Sequence, residues 1–441
     1  MNYANMFNYH IMSPVVGKAV LRYQRWQYEN KIRRSMQKNN DKLLSPPLLS
    51  TARMSEMLAN NYFQGRYTEG VKKVAWFSSG CPIEILQALD FFIYTPDNHG
   101  AMCGAKRVAV EYCEEAESHG YSRDICSYAR TDIGSFLLKK TPIGKIPKPD
   151  IIVVCSNICQ TIIHWYQAMG VYYNAPVFII DTPFVYDKAE EHQIAYVKAQ
   201  LEELIPVAER IAGKKMSYRR LQEICRAGKE CSNLWMEVLL RAKHRPAPIT
   251  GFDAFILMGP VVAMRGEKES LAFYEMVLRE IDERINNGVA AIKTEKYRIL
   301  WDNLPIWYRI NWLSKTLAAH GIAAVISNYA YQWAEPALFM NADNPIEGMA
   351  QAYTHTILNR STGYKLQHMK QMVDDFRLDG VLLHSDRSCK PYSLGQIDQR
   401  MKLIHDMGIS GLILECDHND SRVFSEEQVS NRIKAFAEML G

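Results

Sequence analysis

The stretch VLLHSDRSCKPYSLGQ, residues 381–396, carries three apolar residues straight into His384, Asp386, Arg387 and Cys389, and Pro391 and Gly395 then break the helical pattern. Such a run reads as the end of a buried parallel strand, where α/β sheets present their ligand-binding groups. The same pattern recurs along the chain. KKVAWFSSG (72–80), FFIYTPDN (91–98), DIIVVCSN (150–157) and PVFIIDTP (176–183) form one set, and KYRILWDN (296–303), IAAVISNY (322–329), DGVLLHSD (379–386) and SGLILECD (410–417) form another. Each is a short apolar run closed by a polar turn and followed by a longer helical pattern, which predicts parallel strands alternating with helices. The fold class is therefore α/β, with two doubly wound parallel-sheet domains at 51–187 and 291–441. A charged, helix-patterned region at 188–290 separates them, and an N-terminal helical extension and linker occupies 1–50. Polar residues collect at the strand ends, at Ser78–Cys81, Ser156–Cys159, Asp302–Asn303, His384–Cys389 and Asp417–Asp420.

A chain of 441 residues, 48% hydrophobic, is long enough for more than one core. It has no run of about 18 apolar residues and no secretory start, so a cytoplasmic protein without a membrane span is expected. Residues 1–50 hold eight Lys or Arg against Glu29 and Asp41, an excess of six, so with a net charge of +4 the remainder sums to −2. The basic, aromatic segment VLRYQRWQYENKIRRSMQK (20–38) is read as a solvated helix that packs Tyr23, Trp26 or Tyr28 on a partner subunit, in preference to a nucleic-acid contact. NNDKLLSPPLLS (39–50) then reads as a linker stiffened by paired prolines. The sequence lacks G-x-x-x-x-G-K-[ST], G-x-G-x-x-G, G-x-S-x-G and H-E-x-x-H, which argues against a phosphate loop, a dinucleotide fold, a serine hydrolase and a zincin.

The ten cysteines are the remaining feature. Cys81 follows the first strand, Cys126 lies 45 residues later and Cys389 another 263 residues on; all three are flanked by polar residues and turns. Cys103, Cys113, Cys225 and Cys231 are assigned to packing, as small buried hydrophobes. Cys155 and Cys159 form a C-x3-C that could bind metal, though the spacing favours a structural role. Without tight C-x2-C pairs, zinc is a poor match.

GCPIEI (80–85), ICSYARTDIG (125–134), MGPVVAMRG (258–266), KYRILWDNLPIW (296–307) and HSDRSCKPYSLGQ (384–396) occur in this order. The chain thereby resembles the 2-hydroxyacyl-CoA dehydratase and benzoyl-CoA reductase family over about residues 53–440. The resemblance implies two flavodoxin-like domains and a [4Fe-4S] cluster held by three cysteines, here Cys81, Cys126 and Cys389. It also implies an acyl-CoA thioester substrate, a homologous second subunit and a separate ATP-hydrolysing iron-sulfur activator. One electron delivered to the thioester carbonyl would give a ketyl radical, from which a 2-hydroxyacyl-CoA loses its hydroxyl and a β-proton to become the enoyl-CoA. An ATP-dependent aryl-CoA reductase subunit, and an electron-transfer or scaffold subunit without its own substrate site, are the alternatives. A third is a cluster-free binding module with ten free thiols.

Further residues have two readings each. His384 beside Cys389 is a candidate donor to a cluster or substrate, or a hydrogen-bonded structural residue. His99 is a candidate proton shuttle for the β-hydrogen, or a turn histidine. Glu84 reads as a helix-start carboxylate. Arg265 and Arg298 are candidates for the phosphates of coenzyme A, with ordinary ion pairing as the alternative. The aromatic stretches LPIWYRINW and NYAYQWAE could line an acyl pocket or pack in a core.

Overall fold

The computed structural model of the chain describes residues 3–441. Eight strands form two all-parallel sheets. The first contains β1 (Val74–Phe77), β2 (Phe92–Tyr94), β3 (Ile151–Cys155) and β4 (Val177–Ile180), in the order β2-β1-β3-β4. The second contains β5 (Tyr297–Asp302), β6 (Ile322–Ser327), β7 (Gly380–Asp386) and β8 (Ser410–Cys416), in the order β6-β5-β7-β8. The two orders are equivalent, and each has its switch point beside its first strand, where a crevice opens beyond the carboxyl ends.

Continuous apolar runs form these strands because both faces are covered. Every residue of β1, β3 and β6 is buried. In the first sheet Ala75, Phe77, Ile151 and Val153 face Val197, Leu201 and Leu204 of the helix Glu191–Ala212. Val74, Trp76, Ile152 and Val154 face the other way, onto Tyr166 and Met169 of the helix Gln160–Tyr173. The alternation of a strand thus sorts neighbouring side chains into two separate cores.

The helices after β4 are shared between the sheets. Leu221, Ile224 and Cys225, early in the helix Tyr218–Leu240, join the first core, on the Ala75 face of the first sheet, and Cys231, Trp235 and Val238, later in the same helix, join the second core, that of the second sheet. The helix Pro345–Thr354 lies between β6 and β7 in sequence, yet it puts Ile346, Met349 and Tyr353 into the first core. Chain crossings of this kind hold the two sheets together. At the N-terminus a π-helical segment Asn8–Gly17 leads into the helix Lys18–Lys38, which lies on the helix Ser50–Gly65 with Arg25 Nη1 2.9 Å from Glu56 Oε2. Tyr23 and Trp26 stack on each other, exposed, with ring centroids 5.8 Å apart. No helix among the described residues is long and apolar enough to cross a membrane.

Candidate active site

Three cysteines occupy the residue just before a helix. Cys126 precedes the 12-residue helix Ser127–Leu138, Cys159 the 14-residue helix Gln160–Tyr173, and Cys389 the short helix Lys390–Ser393. All three line one cavity of about 110 Å³ between the two sheets, together with Ser79, Asp97, Tyr128 and His418. The two longer helices point their amino ends at it, so their dipoles favour negative charge there. Burial, and then the neighbouring Cys126, push the Cys159 thiol up to about 12. Cys389 is raised as well, by burial first and then by Asp386, Cys126 and Cys159. Neither is a thiolate nucleophile at neutral pH. A soft metal centre would favour their deprotonated form, because metal binding releases thiol protons.

A buried polar network sets this geometry by joining the start of Ser127–Leu138 to the ends of β7 and β8. Ser127 Oγ donates to Asp417 Oδ1 at 2.6 Å, and Ser388 Oγ to Asp417 Oδ2 at 2.6 Å. Arg130 reaches Asp420 at 3.0 Å, and Asn419 Nδ2 donates to the Gly100 carbonyl at 2.9 Å. Gly104 makes this seam possible, since a Cβ there would lie 1.8 Å from Asn419 Oδ1. His418 sits inside the network, with Nδ1 2.6 Å from Asp386 Oδ2, Nε2 2.8 Å from Ser127 Oγ and Nε2 3.9 Å from Cys126 Sγ. Burial alone would lower its pKa, but the carboxylates of Asp386 and Asp417 outweigh burial and raise it well above the ordinary histidine range. The two carboxylates thus favour the protonated ring of His418 beside Cys126. Asp386, Asp417 and His418 bring ligand atoms within 4.8 Å of one another. Asp417 Oδ1 also accepts from the backbone N–H of Asn419 and Asp420, at 2.8 Å each, so this group is an internally satisfied ion cage.

The structure does not bring Cys81 to the cavity. Its sulfur lies in the core on the opposite face of the first sheet with Ala75, Phe77 and Cys155, 3.0 Å from Ser78 Oγ and 3.8 Å from the Val153 carbonyl. Cys159 stands with Cys126 and Cys389 instead, so the C-x3-C splits between the two faces. His99 is fully buried away from the cavity, with Nδ1 2.8 Å from Asp132 and Nε2 2.9 Å from Thr141 Oγ1. His384 does not line the cavity either. Its Nδ1–H donates to the Leu304 carbonyl at 2.7 Å, burial lowers its pKa, and Nε2 has no hydrogen-bond partner among the described residues.

The two arginines are committed to the protein interior. Arg265 Nε is 3.0 Å from Glu84 Oε1, its Nη2 donates to the Cys81 carbonyl at 3.0 Å and contacts the Tyr353 hydroxyl, and Tyr353 donates to Glu84 at 2.9 Å. Arg298 bonds Glu295 and the carbonyls of Ala242, His244 and Phe376. Neither is placed to clamp a phosphate at the surface. Glu84 does more than favour a helix start: it neutralises a buried arginine on the cavity wall, where a lone charge would be costly.

Asp97, which no sequence motif marks, has the most suggestive carboxylate. Its Oδ2 accepts from Ser79 N–H at 3.1 Å, Ser79 Oγ at 3.0 Å and Tyr166 OH at 3.0 Å. No side chain among the described residues donates to Oδ1, and Asp97 lines the cysteine cavity. Burial raises its pKa to about 6 against the pull of those hydrogen bonds. A carboxylate poised near neutrality beside a cavity is suited to accept a proton.

Residues 78–440 match the family model described as 2-hydroxyglutaryl-CoA dehydratase, D-component. The chain is 32% identical over 395 residues to the (R)-2-hydroxyisocaproyl-CoA dehydratase alpha subunit of Clostridioides difficile, covering 88% of this chain and 95% of that one. It is 29% identical to the (R)-phenyllactyl-CoA dehydratase alpha subunit of Clostridium sporogenes, over 84% of this chain and 90% of the relative. A benzoyl-CoA reductase subunit of Thauera aromatica is 27% identical, over 89% and 94%. Each relative is an enzyme subunit, and with a family model covering most of its length and both sheets, this chain belongs to the 2-hydroxyglutaryl-CoA dehydratase D-component family.

Proposed function

We propose that the chain is the cluster-bearing subunit of an ATP-activated 2-hydroxyacyl-CoA dehydratase, with Cys126, Cys159 and Cys389 holding a [4Fe-4S] cluster. The observation that carries this reading is the meeting of three helix-start thiols, one of them from the second sheet, around a single cavity in a chain of this family. Thiolates are the ligands such clusters take, and three of them leave one iron without a protein ligand. When bound, the cluster supplies a strongly reducing electron to the thioester carbonyl. The chain's own residues do the rest. The amino ends of Ser127–Leu138 and Gln160–Tyr173, with His418, whose protonated ring Asp386 and Asp417 favour, offset negative charge in a mostly apolar cavity. Asp97 takes the proton from the β-carbon, hydroxide leaves the α-carbon and the added electron is given back, so the sum is loss of water with no net oxidation or reduction.

The missing phosphate loop supports an activator that hydrolyses ATP on another chain, and the relatives' names, each that of one subunit among others, support a second subunit. The test combines the full chain, its partner subunit and the activator with reductant, catalytic ATP and a 2-hydroxyacyl-CoA. Many enoyl-CoA molecules per electron supplied is the expected result. Stoichiometric ATP use with ring reduction of benzoyl-CoA, and no dehydration, would assign the chain to the reductases instead.

A further inference from the structure

A second, larger cavity of about 860 Å³ adjoins the cysteine cavity, and Asp97 and Tyr329 line both. Much of its wall comes from the N-terminal segment, which precedes the family-matched residues: Met12, Val16, Gly17, Val20 and Leu21 close one side. Facing them are Leu58 and Phe63 from the helix Ser50–Gly65 and Phe255 and Met258 from the second core. Gly17 is buried where a Cβ would lie 2.7 Å from Phe63 Cε1, so the segment is fitted closely against this wall.

We infer that this chamber receives the acyl chain of the substrate beyond its β-carbon, and that the N-terminal segment limits which acyl groups fit. The inference rests on the acyl-CoA reading above. If Asp97 removes the β-proton, the β-carbon lies at the wall common to the two cavities, and carbons farther along the chain face the chamber. The lining is the kind that takes hydrocarbon: it is mostly aliphatic and aromatic. Its cations are two, Arg66, held through Nε by the Ile143 carbonyl at 2.7 Å, and the exposed Lys106, which is too few for the several phosphate charges of coenzyme A and argues against them as the occupant. The substrate class is therefore a 2-hydroxyacyl-CoA with a medium-length or bulky apolar acyl group.

Binding of saturated, unreactive acyl-CoA to the full chain with its accompanying subunit, measured by calorimetry, tests this apart from catalysis. Burial of hydrocarbon gives a gain of up to roughly fourfold per methylene, so hexanoyl-CoA is expected to bind tenfold or more tightly than propionyl-CoA. Val20→Trp and Val16→Trp place bulk on half-exposed positions of the chamber wall, where folding is little affected. Each is expected to erase most of the hexanoyl advantage and leave propionyl-CoA within twofold. Affinity independent of chain length, or equal losses for both ligands, would overturn the inference and leave the acyl-CoA reading standing. Failure to bind any acyl-CoA would overturn that reading, and the inference with it.

Discussion

Cys159→Ala is expected to leave the anaerobically purified chain without most of its iron, while Cys81→Ala retains it. Cys159 lies with Cys126 and Cys389 around one cavity, and a cluster deprived of one of three thiolates keeps too few protein bonds to persist. Cys81 makes its contacts inside the core of the first sheet, with Ser78, Val153 and Cys155, and none of those atoms faces the cavity. Dehydration should vanish in the first variant and persist in the second. Iron and acid-labile sulfide, read per chain, check both. Loss of iron from Cys81→Ala with retention in Cys159→Ala would restore the ligand set implied by the resemblance alone.

Asp97→Asn should lower kcat by about 100- to 10,000-fold, the range for removing a positioned acid or base, with iron content unchanged. Asparagine keeps an oxygen for the Ser79 and Tyr166 donors, so the site's shape should survive. The pH profile adds a second readout. Burial holds the Asp97 carboxyl near 6, against the pull of its hydrogen bonds. A base must be deprotonated to act, so kcat should rise as pH passes upward through about 6, and then level off. In Asp97→Asn that rise should be absent. An unchanged kcat and pH profile in this variant would remove Asp97 from proton transfer.

Much of the fold was legible because the strands are continuous apolar runs with polar turns, a pattern set by burial on both sheet faces. All eight runs contain strands, and the two sheets are parallel as expected. The crossing of Pro345–Thr354 into the first core left no such mark, since an amphipathic helix does not show which sheet it covers. The site was less legible. Cys81 and Cys159 both follow a strand and a polar turn, and sequence spacing does not say to which face of the sheet a turn returns. A usable signal was the position just before a helical pattern, which Cys126, Cys159 and Cys389 share and Cys81 lacks. His418 and Asp97 are held by partners distant in sequence, Ser127 for one and Tyr166 for the other, and no local motif reports such pairs.

Iron and acid-labile sulfide in the wild-type chain, purified without oxygen and reconstituted with both elements, test the central claim most directly. About four of each per chain, the content of one [4Fe-4S] cluster, is the result expected if the three thiols hold a cluster. A chain that stays folded and binds neither would contradict it, and would leave Cys126, Cys159 and Cys389 as packing residues at the seam between the sheets.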